Sequence, residues 1–326
     1  MATLDIFSET TQKNILDELK VQNSLVKIIA SGWNIDSWKA VQEIVRGGGA
    51  PRYFPVGTIF NCKSTAYTTI QYMVVAHDHH KNPSDPTAHT MTLMQVNVIY
   101  GRMFDSSELL WANTGDSALE AGTYNIKCVK AAYNQDTTED GTFKLTSTKA
   151  IPAGGGIRHT TMGAYRSAGY SKDKVLEGTW TIYDMDGNVL ESGLTCTEGS
   201  DGTNLGTASV TEANMVHTVG RFNCTQRQFY GSNHWGESAI RQWINSSADA
   251  NAWWKAQTPF DLKPSYVSVR GYAADLDPEF VSVLGEVDLV TAHNTVYEYD
   301  GVISGSYTTR DKFFLASMTE LGYGVN

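Results

Sequence analysis

Residues 230 to 245 read YGSNHWGESAIRQWIN, and two further tryptophans follow shortly after. Tyr230, Asn233, His234, Trp235, Trp253 and Trp254 bring ring faces, an amide and an imidazole together within 25 residues. This is recognition chemistry. Aromatic rings give a large contact area at low entropic cost, and amide and imidazole groups adapt their hydrogen bonds, so all six are candidate ligand-binding residues for a sugar or protein surface. The competing reading has Trp243, Trp253 and Phe260 filling a core beneath a helix. Asn233 and His234 fit that reading less well, because a core must satisfy their polar atoms.

A second cluster lies in HDHHKNPSDPTAH, which contains His77, Asp78, His79, His80, Asp85 and His89. Neutral imidazole and carboxylate are common metal ligands, so His77, Asp78, His79 and His89 are candidates for a divalent ion. Their spacing matches no closed zinc pattern, and a solvated strand connection explains the same residues. DMDGN at 184 to 188 imitates the start of a calcium loop, but the twelfth position, 195, is Thr, and a hairpin turn suits Asp-Gly-Asn better. No nucleophile elbow, P-loop, dinucleotide fingerprint or helical metalloprotease motif occurs. The expectation is a protein without a catalytic site and without a cofactor beyond that one ion.

The 326 residues carry 25 Lys and Arg against 35 Asp and Glu, a formal charge of -10, with no basic run to track a phosphate backbone. Nucleic acid is therefore excluded as an expected partner. No window reaches 18 apolar residues and the N-terminus has no apolar h-region, so no membrane insertion is expected and synthesis is placed in a cytosol. Cys62, Cys128, Cys196 and Cys224 are scattered and read as buried reduced thiols.

Several elements must position these groups. The apolar spacing from Ser8 to about Ala30 predicts an amphipathic helix, and a second begins with Asp36 as N-cap and ends at Gly47-Gly48-Gly49. From Tyr53 the period changes to two: YFPVGTIFNC, TTIQYMVVAHD and HTMTLMQVNVIYG read as strands. FDSSELLW reads as a short helix at 105 to 111. GTYNIKC, GTFKLTS, GTWTIYDMDGNVLESG and SDGTNLGTASVT predict an antiparallel sandwich over 116 to 215. A helix follows, capped by Ser232 or Asn233, burying Ile240, Trp243 and Ile244 and pairing Glu237 with Arg241. LDPEFVSVLG predicts a helix with Asp277 as N-cap and Pro278 first, and RDKFFLAS a buried strand.

Beyond these local signals, SWKAVQEIVRGGGAPRYFPVG, HTMTLMQ, LEAGTYNIKC, YGSNHWGESAIRQWINS, TPFDLKP and DKFFLASMTEL resemble a family of bacteriophage and prophage structural proteins of gut bacteria. The end of this pattern is similar to a domain of unknown function related to the C-type-lectin and formylglycine-generating-enzyme fold. The resemblance implies an α+β, β-rich chain: a C-type-lectin-like domain with an inserted antiparallel β-sandwich and N-terminal helices. It divides into an N-terminal helical assembly segment at 1 to 49, first lectin-like part at 50 to 115, sandwich at 116 to 215 and second lectin-like part at 216 to 326. Ile240, Trp243 and Ile244 are then core, and Asp311, Phe313 and Leu315 lie in a returning strand. The enzyme's late cysteine pair is missing, since no Cys follows Cys224, so that activity is not carried over; TELGYGVN stands where the related domain continues.

The resemblance implies a non-enzymatic virion protein, tail-associated or fibre-like, forming homo-oligomers, touching other virion subunits and binding a host-surface glycan or protein. A capsid decoration (head fibre) or other architectural virion protein is the alternative. A glycan-acting enzyme is the third class and requires two carboxylates roughly 5 to 10 Å apart across a cleft.

Overall fold

The computed structural model describes residues 37–99, 101–128, 141–159, 176–199, 202–204, 230–232, 234–292 and 305–316, together with positions 16, 18, 19 and 22. Among these residues thirteen strands form four small sheets, accompanied by short helices, so the chain is an α+β protein rich in strand. Most of the helix expected before Ala30 lies outside the described residues, although Leu16, Glu18, Leu19 and Gln22 are helical.

One core is built around helix α1 (Trp38–Arg46), which buries Trp38, Ala40, Val41, Ile44 and Val45. Its N-cap is Ser37, whose hydroxyl accepts the Ala40 N–H at 3.1 Å, one residue past the Asp36 that the sequence suggested. Gly48 ends it at φ +82, a left-handed conformation that costs glycine little. A single turn, α2 (Ala50–Tyr53), leads into the antiparallel sheet β1 (Ile59–Ser64), β2 (Thr68–His77) and β3 (Met91–Gln95). Period two decides the faces. Cys62, Ile70, Tyr72 and Val74 point into the core, while Ile59, Met73 and Met94 form a cross-strand row on the other face.

A second core lies between two four-stranded sheets. One contains β4 (Trp111–Ala112), β7 (Gly156–His159), β8 (Trp180–Tyr183) and β9 (Val189–Leu194); the other contains β5 (Gly122–Cys128), β6 (Gly141–Ser147), β10 (Cys196–Glu198) and β11 (Thr203–Asn204). Trp111, Ile157, Trp180 and Ile182 from the first meet Tyr124, Phe143, Leu145 and Cys196 from the second. Glu191 on β9 ties the sheets together, accepting hydrogen bonds from Ser147, Thr148 and Lys149 at the end of β6. All pairings are antiparallel except β11 with β5. Sheet pairing therefore starts at Trp111, ahead of the boundary placed at 116.

Leu109, Ala112 and Leu262 form a third, small cluster with Tyr183 and Phe260 packed against it. The short helix expected at 105 to 111 does not form, because tertiary partners take its backbone: Leu109 N–H donates to Phe260 O and Leu110 N–H to Ile157 O. After the second core come α3 (Ala239–Ile244), a 3-10 turn at Tyr272–Asp275, α4 (Pro278–Val283) and the hairpin β12 (Val287–Ala292) with β13 (Ser306–Asp311). α4 starts as expected, with the Asp277 side chain accepting the Glu279 N–H and Pro278 in the first turn. The returning strand stops at Asp311, so Phe313 and Phe314 lie past its end, half-buried against the first core.

Cys62 and Cys196 are buried free thiols. Burial pushes their pKa values up to about 11 and about 12, which keeps them protonated at neutral pH.

Candidate functional site

α3 is held by two remote carboxylates. Asp105, buried, accepts N–H groups from Ser106 (2.8 Å), Ser232 (2.8 Å) and Ala239 (2.9 Å), so one side chain fixes both the YGS turn and the first residue of the helix. Burial outweighs these three donors and raises its pKa to about 6. The N-cap of α3 is Ser238, whose Oγ accepts the Arg241 N–H; neither Ser232 nor Asn233 performs that role. Ser232 N–H instead serves Asp105, and its Oγ accepts the His234 N–H.

Asp311, 3% exposed, is the second anchor. Its Oδ2 accepts the Trp235 indole N–H at 3.0 Å and its Oδ1 the Arg241 Nε–H at 2.8 Å. Arg241 therefore turns toward β13, away from the helical pairing with Glu237 that the spacing suggested, and also donates to Gly236 O. One turn on, Asn245 donates to Phe313 O and accepts the N–H groups of Lys312 and Phe313. IRQWIN and DKFF, the two distinctive motifs in the sequence, are thus the two halves of one hydrogen-bonded clamp.

The clamp decides what the six ring and amide candidates do. Tyr230 is 60% exposed and stands at the mouth of the turn. Trp235 is 8% exposed and faces Asp311, not solvent. His234 is buried and stacked on Tyr307 with ring centroids 3.9 Å apart, while the Tyr307 hydroxyl accepts the Trp235 backbone N–H. Trp253 is buried, stacks on Tyr266 and donates its indole N–H to Val269 O. Trp254 is half-buried against the first core. Asn233 lies outside the described residues. The expected rim of rings therefore narrows to Tyr230 and the half-buried Trp254: His234, Trp235 and Trp253 are buried, and the Trp235 and Trp253 indole N–H groups find acceptors inside the fold.

The histidine loop orders itself. Asp78, at φ +55, accepts the Thr90 N–H at 2.8 Å and pairs with His89 Nδ1 at 2.9 Å. Its burial works toward a higher pKa, but the bonds from His89 and Thr90 and the charges of His89 and Lys81 hold the carboxyl below the usual range. His77 Nε2 lies 2.9 Å from Phe54 O, and the His79 ring packs edge-on against His80. Among the described residues no three His, Cys, Asp or Glu side chains converge on a point that would hold an ion, so His77, Asp78, His79 and His89 act as loop ties and not as one ligand set. DMDGN is a hairpin turn: Asp184 Oδ1 accepts from Asp186 and Asn188, and Gly187 has φ +80.

Beside the loop the fold leaves a groove of about 200 Å³ between α1, β3, the end of α4 and Phe313 and Phe314. Its floor is Trp38, Val41, Tyr72 and Phe280, and its mouth carries Arg46, His80, His89, Glu286 and Lys312. Sequence reasoning missed this site because its lining comes from segments as distant as Trp38 and Phe314, each of which reads alone as ordinary core. A shallower polar cleft of about 300 Å³ adjoins it across Lys312 and Phe313, lined by Arg241, Gln242, Asn245 and Arg310.

Residues 208–326 match a family model described as a domain of unknown function (DUF6273), a span that contains α3, the Asp311 clamp and the β12–β13 hairpin. The comparisons with curated proteins and with solved structures yield no match.

Proposed function

We propose that the chain is a non-enzymatic bacteriophage virion protein, tail-associated or fibre-like, whose C-terminal part is a C-type-lectin-like unit that contacts a host-surface glycan or protein. What supports the reading is the sequence resemblance together with one observation: Tyr230, helical and 60% exposed, directly precedes a turn that Asp105 fixes through Ser232 and Ala239. A ring held out on a rigid support loses little freedom when it meets a partner.

A binding assay on host cells and an array of bacterial-surface glycans tests it. The expected result is retention of the intact chain, reduced at least tenfold by Tyr230→Ala with the folded spectrum unchanged. Equal retention of both proteins removes Tyr230 from the reading, and no retention on any surface removes host attachment.

The architectural alternative has its own support. Ile59, Met73 and Met94 stand in one register row on the outer face of β1–β3, Ile59 and Met94 being exposed. A sheet face that is apolar toward water suits a neighbouring subunit better than a sugar. Protection of this row from oxidative footprinting in intact particles, with Tyr230 unprotected, favours the attachment reading; protection of both favours decoration.

A further inference from the structure

We infer that the polar cleft beside α3 binds a small hydroxylated carboxylate of the uronic-acid class, with Arg241, Arg310 and Lys312 taking the acid group and Glu286 a hydroxyl. The site is separate from Tyr230 and goes beyond the attachment reading, which does not require it.

Three stretches of chain bring the cations together. Arg241 comes from α3, Arg310 from β13 and Lys312 from just past its end, and all three line one cleft of about 300 Å³. Small-ligand sites run from roughly 300 to 1,000 Å³, so this one has room for a single sugar ring. Each cation is already held in place. Arg241 donates its Nε–H to Asp311 and an Nη1–H to Gly236 O, which leaves Nη2 without an acceptor among the described residues. Arg310 donates its Nε–H and an Nη2–H to the two oxygens of Asp288, which leaves Nη1. The Lys312 backbone N–H is fixed by Asn245, and its ammonium has no acceptor among the described residues. Structural pairing thus uses one edge of each guanidinium. The remaining N–H groups, rigidly placed, suit a planar carboxylate.

The acids define the rest of the ligand. Asp311 is 3% exposed, and its two oxygens already serve Trp235 and Arg241. Glu286 also lines the cleft, and among the described residues it accepts no hydrogen bond, although its charge supports Arg310. A carboxylate there needs a donor, which a simple anion lacks and a hydroxyl supplies. Three cations and two acids line the cleft, so one negative charge on the ligand is matched and the two of a phosphate are not. Phe313 completes the lining. Its ring is set edge-on against Tyr272 at 5.7 Å and gives the C–H face of a sugar an apolar neighbour.

The test uses the full chain with glucuronate, glucose, acetate and inorganic phosphate as separate probes, read by saturation-transfer NMR and titration calorimetry. Glucuronate should bind about tenfold tighter than each of the others and weaken as salt rises. Arg310→Met should weaken it by about tenfold, and Ser247→Trp, which fills the cleft from an exposed position on its lining, should abolish it. Arg310 and Ser247 are both exposed, so the folded spectrum should not change; a variant that does not fold leaves the decision to the other and to the ranking of the probes. Tyr230→Ala should bind glucuronate like the parent. Absence of glucuronate binding, equal binding of any other probe, binding that survives both cleft variants, or loss with Tyr230→Ala each overturns the proposal. Failure to bind cells or glycan arrays with these results intact overturns only the attachment reading.

Discussion

Asp105 is the residue whose chemistry reaches furthest from its own position. Its folded pKa near 6 stands above the ordinary 3.8, so between those values the folded chain binds more protons than the unfolded one. Stability therefore falls as pH rises from about 4 to about 6, by about 3 kcal/mol for a shift of this size, and levels off above. Asp105→Asn removes the titration, so the stability advantage of the parent over the variant should shrink by that amount across the window; parallel denaturation curves would refute the assignment. Asp311 makes a different prediction. Arg241→Ala leaves a buried carboxylate without its cation and should cost about 3–5 kcal/mol, whereas Trp235→Phe removes one donor and should cost about 1–2 kcal/mol. Urea unfolding of the two variants gives the ranking, and a reversed order would mean that the indole carries the clamp. The residue types here were legible in advance but their partners were not. Tyr230, His234 and Trp235 are neighbours in sequence, yet Asp105 and Asp311, which decide their exposure, lie more than seventy residues away from them.

Among the elements, those whose signals are local formed where the spacing put them. α4 carries its own cap and proline, and the β8–β9 hairpin carries Asp184 and Gly187 at the turn. Elements decided at a distance moved: α3 starts at Ala239, beyond the polar run that offered two nearer caps, and the segment from Asp105 to Trp111 is extended because its N–H groups meet Phe260 and Ile157. The turn before α3 also depends on one glycine. Gly231 has φ +72, and a Cβ there would stand 2.1 Å from Ser106 O. Gly193 has φ +76 with open space around it. Gly193→Ala should thus cost only the backbone conformation, about 1 kcal/mol, and Gly231→Ala at least 3 kcal/mol because the turn must leave Asp105. Thermal shifts of the two variants, read side by side, separate strain from collision, and equal shifts would mean that the turn yields freely.

At the scale of the whole molecule, the β-rich class and a sandwich-like pair of sheets were readable from period-two runs and turn residues, whereas the groove was not, since no single segment builds it. Two separate cores, with Leu109, Ala112 and Leu262 in a small third cluster, should not share all of their cooperativity. Leu145→Ala, a fully buried truncation, should cost about 2–5 kcal/mol in the second core. Hydrogen exchange should accelerate in β5 to β10 while β1 to β3 keep their protection; uniform acceleration would mean that the cores unfold as one.

Asp105 and Ser232, 127 residues apart in the chain, are joined by a single hydrogen bond of 2.8 Å. Such a junction makes the intervening strands an exchangeable cassette: a lineage can replace them with another module of any length, and the rest of the chain meets the same two ends. A chain cut after Ser106 and rejoined at Gly231 through a short flexible bridge should keep the first core folded, with Leu262 as the main apolar side chain uncovered. Diversity in what the chain carries would then arise by swapping cassettes, with the frame that anchors them left unchanged.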